Sequence, residues 1–389
     1  MELLFSAFFR LISWSLICLL TLVLNLFLLH FISIHPCDWP CPDSKDDKWL
    51  RVMVLTDVHL LGKRKGHPVD QFVREWEMSI AFQTAVKLRQ PEMIIFLGDL
   101  LDEGLTVDQE DFNKYVERFN RTFPMTEETK KIFIVGNHDI GFHDRVAAYP
   151  ILRKRWEKAF NSSLADIMTV KGIKFITINS MAIEGDGLDL VRETKENLLR
   201  VEDKLKKSDL LGRPVMLQHF PLYRKNDDIC HEIDSQKGID RLHKFNPGVE
   251  CLSYKVSEML LKKFNPRLVL NGHIHAGCVV NHTKYDAEEW TVASFNWRNR
   301  LDPNYLVLCI SPDSYAIRKC FLPSEINIVF TSLICLIFFY FSSKFRKCFM
   351  NSIASQQKTK VKPKSGGSNE NLIETKKFNE HLSKKLKKT

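Results

Sequence analysis

Five short apolar runs in this chain each break off into a loop rich in Asp, His or Asn. Arg51-Val-Met-Val-Leu-Thr56 leads into Asp57-Val58-His59, and Met93-Ile-Ile-Phe-Leu97 into Gly98-Asp99-Leu-Leu-Asp102. Ile132-Phe-Ile-Val135 leads into Gly136-Asn137-His138-Asp139 and Val215-Met-Leu217 into Gln218-His219. Leu268-Val-Leu270 leads, after one Asn, into Gly272-His273-Ile274-His275. Runs of this length and composition read as buried strands. Segments of helical period lie between them, notably Asp70 to Arg89 and Val107 to Phe123. Strands alternating with helices imply a layered α/β fold, whose ligands gather outside the carboxyl ends of the strands. A single Asp-x-His loop has simpler explanations, as a turn, a helix cap or a core histidine bonded to a carbonyl. Five in succession bring one kind of chemistry to one sheet edge. After residue 277 the pattern changes to strands alone (Cys278-Val-Val, Trp290-Thr-Val-Ala, Tyr305-Leu-Val-Leu), so the expected fold is a two-sheet α/β sandwich.

The side chains on that edge are carboxylates, imidazoles and an amide, with no thiolate. Such ligands suit manganese, iron or zinc, and they suffice for two ions that share a bridge. A pair of ions clamps a phosphate, sharpens a water and stabilises a leaving oxygen. Histidines must be neutral to coordinate, so binding should weaken as pH falls. The series Asp57-x-His59, Gly98-Asp99-x-x-Asp102, Gly136-Asn137-His138-Asp139, His219 and Gly272-His273-x-His275 resembles the motif set of the calcineurin-like metallophosphoesterases, over roughly Arg51 to Pro323. That resemblance implies one divalent ion held by Asp57, His59 and His275, and a second held by Asn137, His219 and His273, with Asp99 bridging. It also implies that His138 meets the phosphate or protonates the leaving group while Asp139 orients its ring. Gly98 and Gly136 would let the backbone turn sharply into the site. Asp102 is expected to support a ligand or cap a helix, and the role of His143 stays open.

Two apolar runs frame this domain. Leu11 to Ile34 is 24 residues without Lys, Arg, Asp or Glu, and Ile326 to Ser343 is 18 such residues. Both are expected to be transmembrane helices, because the first is too long and lacks a small-residue cleavage site for a signal peptide. Residues 344–389 hold 13 Lys and Arg against 3 Glu. That tail, at +10, exceeds the net charge of the whole chain, +9, so the remainder carries −1 and offers no footprint for nucleic acid. A basic tail beside a helix end stays cytosolic. The expected order is therefore a cytosolic N-terminus (1–10), a first transmembrane helix (11–34), a lumenal linker (35–50), the phosphoesterase domain (51–323), a second helix (326–343) and a cytosolic tail (344–389). Sequons at Asn120, Asn161 and Asn281 fall on the lumenal side. So do Cys37, Cys41, Cys230, Cys251, Cys278, Cys309 and Cys320. Cys37 and Cys41 could pair with each other or with Cys320, and the odd count leaves one thiol over. Lys385 and Lys387, third and fifth from the end, resemble a dilysine signal read by coat-protein retrieval machinery.

The five motifs do not name a phosphoester. Runs outside them, LLGKRKGH (60–67), VREWEMSIAFQTA (73–85), QHFPLYR (218–224) and SFNWRNR (294–300), together with GNHDIGFH, resemble the members of that family that process GPI anchors. This implies a manganese-dependent phosphodiesterase that removes the side-chain ethanolamine-phosphate from the second mannose of GPI-anchored proteins. Its expected setting is endoplasmic reticulum exit sites, the ER–Golgi intermediate compartment and the cis-Golgi membrane. A lumenal phosphatase or nucleotide phosphodiesterase with soluble substrates, and a cargo adaptor with a vestigial site, are the competing readings. Arg298 and Arg300 are candidates for an added anion contact, with Tyr223 and Arg224 next to them in interest.

Overall fold

A computed structural model describes residues 2–42, 47–185, 188–208, 212–338, 340, 341 and 344. Eleven strands run in chain order through them: β1 (Leu50–Leu55), β2 (Met93–Phe96), β3 (Lys130–Phe133), β4 (Ala165–Val170), β5 (Ile173–Ile178), β6 (Val215–Leu217), β7 (Leu268–Asn271), β8 (Cys278–His282), β9 (Ala287–Thr291), β10 (Asn304–Ile310) and β11 (Tyr315–Phe321). They form two sheets. One has the order β11-β10-β1-β2-β3, the other β4-β5-β6-β7-β9-β8. The expected two-sheet α/β sandwich is present.

Alternation along the strands explains the layers. Val52, Val54, Ile95 and Leu308 of the first sheet share a core with Phe175, Val215, Leu217 and Leu270 of the second. The intervening residues Met53, Leu55, Ile94 and Phe96, or Ile176, Met216 and Val269, face outward into a second core under the helices. Each central strand is thus buried on both faces, which is why it reads as an unbroken apolar run. The helix Pro68–Arg89 packs Met78, Phe82 and Ala85 onto the first sheet, and Gln109–Thr122 adds Phe112 and Phe119. Tyr254–Phe264 covers the second sheet with Leu260, Leu261 and Phe264.

Parallel pairing of β1, β2 and β3 in one sheet, and of β5, β6, β7 and β9 in the other, gathers the strand ends that matter. β1, β2, β3, β6 and β7 deliver all five polar loops.

Cys37 bonds Cys320, as one expected alternative had it, whereas Cys41 bonds Cys309 rather than Cys37. A third bridge joins Cys230 to Cys278. Cys251 is the buried thiol left over among the seven. The helix Glu2–Ile34 contains one stretch, Trp14–Ile34, long and apolar enough to cross a bilayer. The second apolar helix is described only over Glu325–Phe338, too short to meet that test. A second membrane helix is therefore an expectation that the described residues do not carry to full length. The basic tail with Lys385 and Lys387 lies outside them.

Candidate metal centre

The loop after β1 turns back on itself within three residues. Asp57 and His59 both have left-handed backbones (φ 51° and 42°). Asp99 after β2 (φ 50°), and His273 and His275 after β7 (75° and 63°), do the same. Non-glycine residues adopt this conformation seldom, and it gathers at functional sites. Cross-links hold these turns: the Asp57 N–H donates to the Gly98 carbonyl at 3.1 Å and the His59 N–H to the Asp99 carbonyl at 3.0 Å.

The two oxygens of Asp57 have separate jobs. Oδ2 accepts from the Thr56 hydroxyl at 2.7 Å and the His273 N–H at 2.9 Å. Oδ1 is buried with no hydrogen-bond donor, yet lies 3.5 Å from His275 Nε2 and 3.7 Å from His59 Nε2. Those two nitrogens face each other at 3.0 Å. Donors each about 2.1 Å from one ion stand roughly 3.0–3.5 Å apart, so this orphaned oxygen and two imidazoles fit a divalent cation. Asp99 is divided similarly. Its Oδ1 accepts from the His138 N–H at 2.8 Å, while Oδ2 lies 3.3 Å from His219 Nε2 and 3.6 Å from His59 Nε2. One carboxylate oxygen thus stands between the two histidine groups, as a bridge requires.

On the second side, His219 Nδ1–H donates to the Leu97 carbonyl at 2.7 Å, which turns Nε2 toward Asn137 Oδ1 at 3.2 Å. His273 Nε2–H donates to the Val249 carbonyl at 2.7 Å. Its Nδ1 therefore keeps the lone pair, the usual way a partner fixes a metal-binding tautomer. Asp99, His219 and His273 form one compact donor group, and Asp57, His59 and His275 another. The predicted ligand residues all converge.

Electrostatics divide the imidazoles. Burial lowers His273 to about 3, with the His219 charge adding to it, and lowers His275 to about 4. Both are neutral with free lone pairs. Burial alone would lower His59 too, but hydrogen bonds to Asp102 and Asp57 raise it to about 10. The Asp99 charge likewise overrides burial and raises His219 to about 9. For Asp57, burial raises the carboxyl but the His59 hydrogen bond and neighbouring imidazoles hold it at about 2.

The reading of Asp139 needs correction. Its carboxylate does not face the His138 ring but accepts from the Leu101 N–H at 2.9 Å and the Gly136 N–H at 2.8 Å, tying two ligand-bearing loops together. Burial and the nearby Asp99 charge push it up to about 8. The ring partner is Asp102. His138 Nδ1 lies 3.2 Å from Asp102 Oδ1 and 3.1 Å from the Asp102 carbonyl. The same Oδ1 lies 3.4 Å from His59 Nδ1. Both residues belong to short motifs in which either carboxylate could serve, and only the side-chain directions tell them apart. His138 Nε2 is left pointing away from these partners on a ring that is 31% exposed.

The arginines separate too. Arg224 is buried against Asp227 and Thr291, and Arg300 is committed to Asp302 and to the Asp234 and His275 carbonyls. Arg298 approaches Asp102 Oδ2 at 3.8 Å with 36% of its side chain exposed, which leaves it the arginine best placed beside His138. Tyr223 is exposed against Tyr254, and His143 lies against Gly185.

The calcineurin-like phosphoesterase family matches residues 50–277. Metallophosphoesterase 1 of Ailuropoda melanoleuca is 39% identical over 324 residues, 78% of this chain and 81% of that protein. Metallophosphoesterase 1 of Danio rerio is 36% identical over 84% of this chain and 90% of its own length. The Drosophila melanogaster homolog is 36% identical over 86% and 93%. With the family match spanning more than half of its residues, this chain belongs to the calcineurin-like phosphoesterases and is a metal-dependent phosphoester hydrolase.

Proposed function

We propose that the enzyme is a dinuclear phosphodiesterase of the early secretory pathway that removes side-chain ethanolamine-phosphate from the second mannose of GPI anchors. The observation that carries the chemistry is the pair of donor groups sharing Asp99 Oδ2, with the partly exposed His138 ring beside them. Asp57, His59 and His275 would hold one divalent ion, Asn137, His219 and His273 the other, and Asp99 both, with manganese the proposed metal. When bound, such ions polarise a phosphoryl oxygen and lower the pKa of a water.

The protein's own residues do the remaining work. Burial lowers His138, but the Asp102 carboxylate more than reverses this and the net shift is upward. The ring is therefore readily charged. With Nδ1–H directed at Asp102, the Nε2 proton is the one available to the leaving mannose oxygen as the P–O bond breaks. Arg298 is placed to meet a non-bridging phosphate oxygen. The GPI substrate rests on the resemblance of the runs at 60–67, 73–85, 218–224 and 294–300. Anchoring by the apolar helices would raise the effective concentration of a membrane-tethered substrate. Retrieval through Lys385 and Lys387 by coat proteins would keep the enzyme between the endoplasmic reticulum and cis-Golgi.

The test is mass spectrometry of GPI glycans on surface proteins from cells lacking this chain, with wild-type or Asp99→Ala protein returned. Ethanolamine-phosphate retained on the second mannose and removed only by wild type is the expected result. Unchanged glycans would end the GPI reading while leaving the hydrolase intact.

A further inference from the structure

Two segments distant in sequence meet at Glu325, at the foot of the apolar helix Glu325–Phe338, a third joins them through Arg300, and each displays a large apolar side chain to solvent. Arg74 of the helix Pro68–Arg89 binds Glu325 Oε1 at 2.7 Å, and two residues earlier Phe72 is 67% exposed. The Glu325 N–H donates to the Leu301 carbonyl at 3.0 Å, and the Leu301 side chain is 52% exposed. Arg300, its neighbour, donates to the Asp234 carbonyl at 3.2 Å, and Ile233 is 72% exposed.

The same region receives the end of the N-terminal apolar helix. Arg89 donates to the Ile34 carbonyl at 3.2 Å, and the Cys37–Cys320 bridge closes the two chain ends together. The Trp297 indole donates to the Pro323 carbonyl at 2.8 Å and stands edge-on to His30, their rings 5.5 Å apart. A bilayer crossed by Trp14–Ile34 therefore begins at this face of the domain.

We propose that Phe72, Ile233 and Leu301 form a collar that sits in the bilayer interface around the helix feet. Isolated exposed apolar side chains need no explanation, but three on segments tied to the foot of one membrane helix do. Interfacial side chains sink roughly 5–10 Å into the headgroup and acyl boundary, which matches residues flanking a crossing helix. The segment that carries Leu301 also reaches the catalytic edge: its neighbour Arg300 bonds the His275 carbonyl at 2.7 Å as well as the Asp234 carbonyl. The donor cluster is thereby fixed relative to the lipid surface, so the preferred substrate is a phosphoester displayed close to that surface.

The inference rests on Trp14–Ile34 crossing the membrane, and its test separates the two. Full-length protein is placed in phosphatidylcholine nanodiscs carrying one copy each, then oxidised by hydroxyl radicals and read by mass spectrometry. Three leucines share intrinsic reactivity and similar exposure: Leu28 in the apolar helix (56%), Leu199 on the helix Leu188–Lys206 (52%) and Leu301. Because lipid excludes water and radicals, Leu301 should oxidise as slowly as Leu28, about tenfold more slowly than Leu199, with Phe72 and Ile233 also protected. Leu301 oxidising at the Leu199 rate while Leu28 stays protected overturns the collar alone. Fast oxidation of Leu28 as well overturns the membrane crossing and the collar with it. One copy per disc removes a second chain as the source of protection.

Discussion

Asp102 touches two imidazoles with one oxygen, the candidate ligand His59 and the candidate acid His138. If His138 protonates a leaving oxygen, its worth depends on how badly that oxygen needs a proton. His138→Ala should lower kcat by about 10²–10⁴-fold for a sugar or alkyl phosphodiester. With a p-nitrophenol leaving group, stable without protonation, the loss should be far smaller. Equal losses on both substrates would refute the acid role and leave His138 a phosphate contact. A second prediction follows from the charged imidazoles. His59 and His219 have folded-state pKa values of about 10 and about 9, above the ordinary 6.5. Their stabilising contribution is whole below about pH 6.5 and is lost as pH rises through 9 to 10. Protein stripped by chelator should therefore lose thermal stability across that window. Since ligands bind deprotonated, manganese added at pH 7 should release about two protons per protein, readable by a pH indicator in weak buffer. No release would mean that His59 and His219 are either neutral at pH 7 in the metal-free protein or not ligands.

The loop after β3 depends on a glycine for space rather than for conformation. Gly136 has φ −111°, open to any residue, but a Cβ there would stand 2.0 Å from Asp99 Oδ1 and 2.3 Å from the Asp99 backbone nitrogen. Gly136→Ala must displace the candidate bridge. Such overpacking costs about 1–3 kcal/mol of stability, whereas displaced donors should lower metal affinity by at least about tenfold. Metal content measured on folded variant protein tests this, and a full complement of metal would refute it. Elements like this loop were legible in the sequence because two-sided burial leaves β1, β2, β6 and β7 as largely apolar runs, and the residues Ile132 to Val135 at the end of β3 are apolar too, each run ending in a loop with Asp, His or Asn. β4 was not, since Ala165–Val170 is a half-exposed edge strand with a mixed pattern. β11, YAIRKCF, is exposed in the same way, and the helices Pro150–Phe160 and Leu188–Lys206 fill connections without motifs. The ligand residues could be read from type and position. The left-handed backbones of Asp57, His59, Asp99, His273 and His275, the exchange of roles between Asp102 and Asp139, and the Cys41–Cys309 bridge could not, because each depends on directions in space that sequence spacing does not encode.

Charge, thiols and sequons divide the chain the same way. Cationic excess is confined to residues 344–389, while the domain carries three disulfides and three sequons. Disulfides persist in oxidising compartments, and the bridges Cys37–Cys320 and Cys41–Cys309 close loops spanning 283 and 268 residues of sequence. Chain entropy makes such long closures worth about 2–5 kcal/mol each, a contribution that a cytosolic domain would forgo. Sequons are informative only if their asparagines can be reached, and Asn120, Asn161 and Asn281 are all exposed in the folded domain. A lumenal domain should therefore carry N-glycans. The expected result is a gel shift on removal of N-glycans by amidase treatment, abolished in Asn120→Gln/Asn161→Gln/Asn281→Gln protein, with no free thiol other than Cys251 reacting in the denatured domain. An unshifted chain whose six bridging cysteines all alkylate without reductant would place the domain in the cytosol. That outcome would reverse the orientation drawn from the tail, and it would remove any GPI glycan from the enzyme's reach.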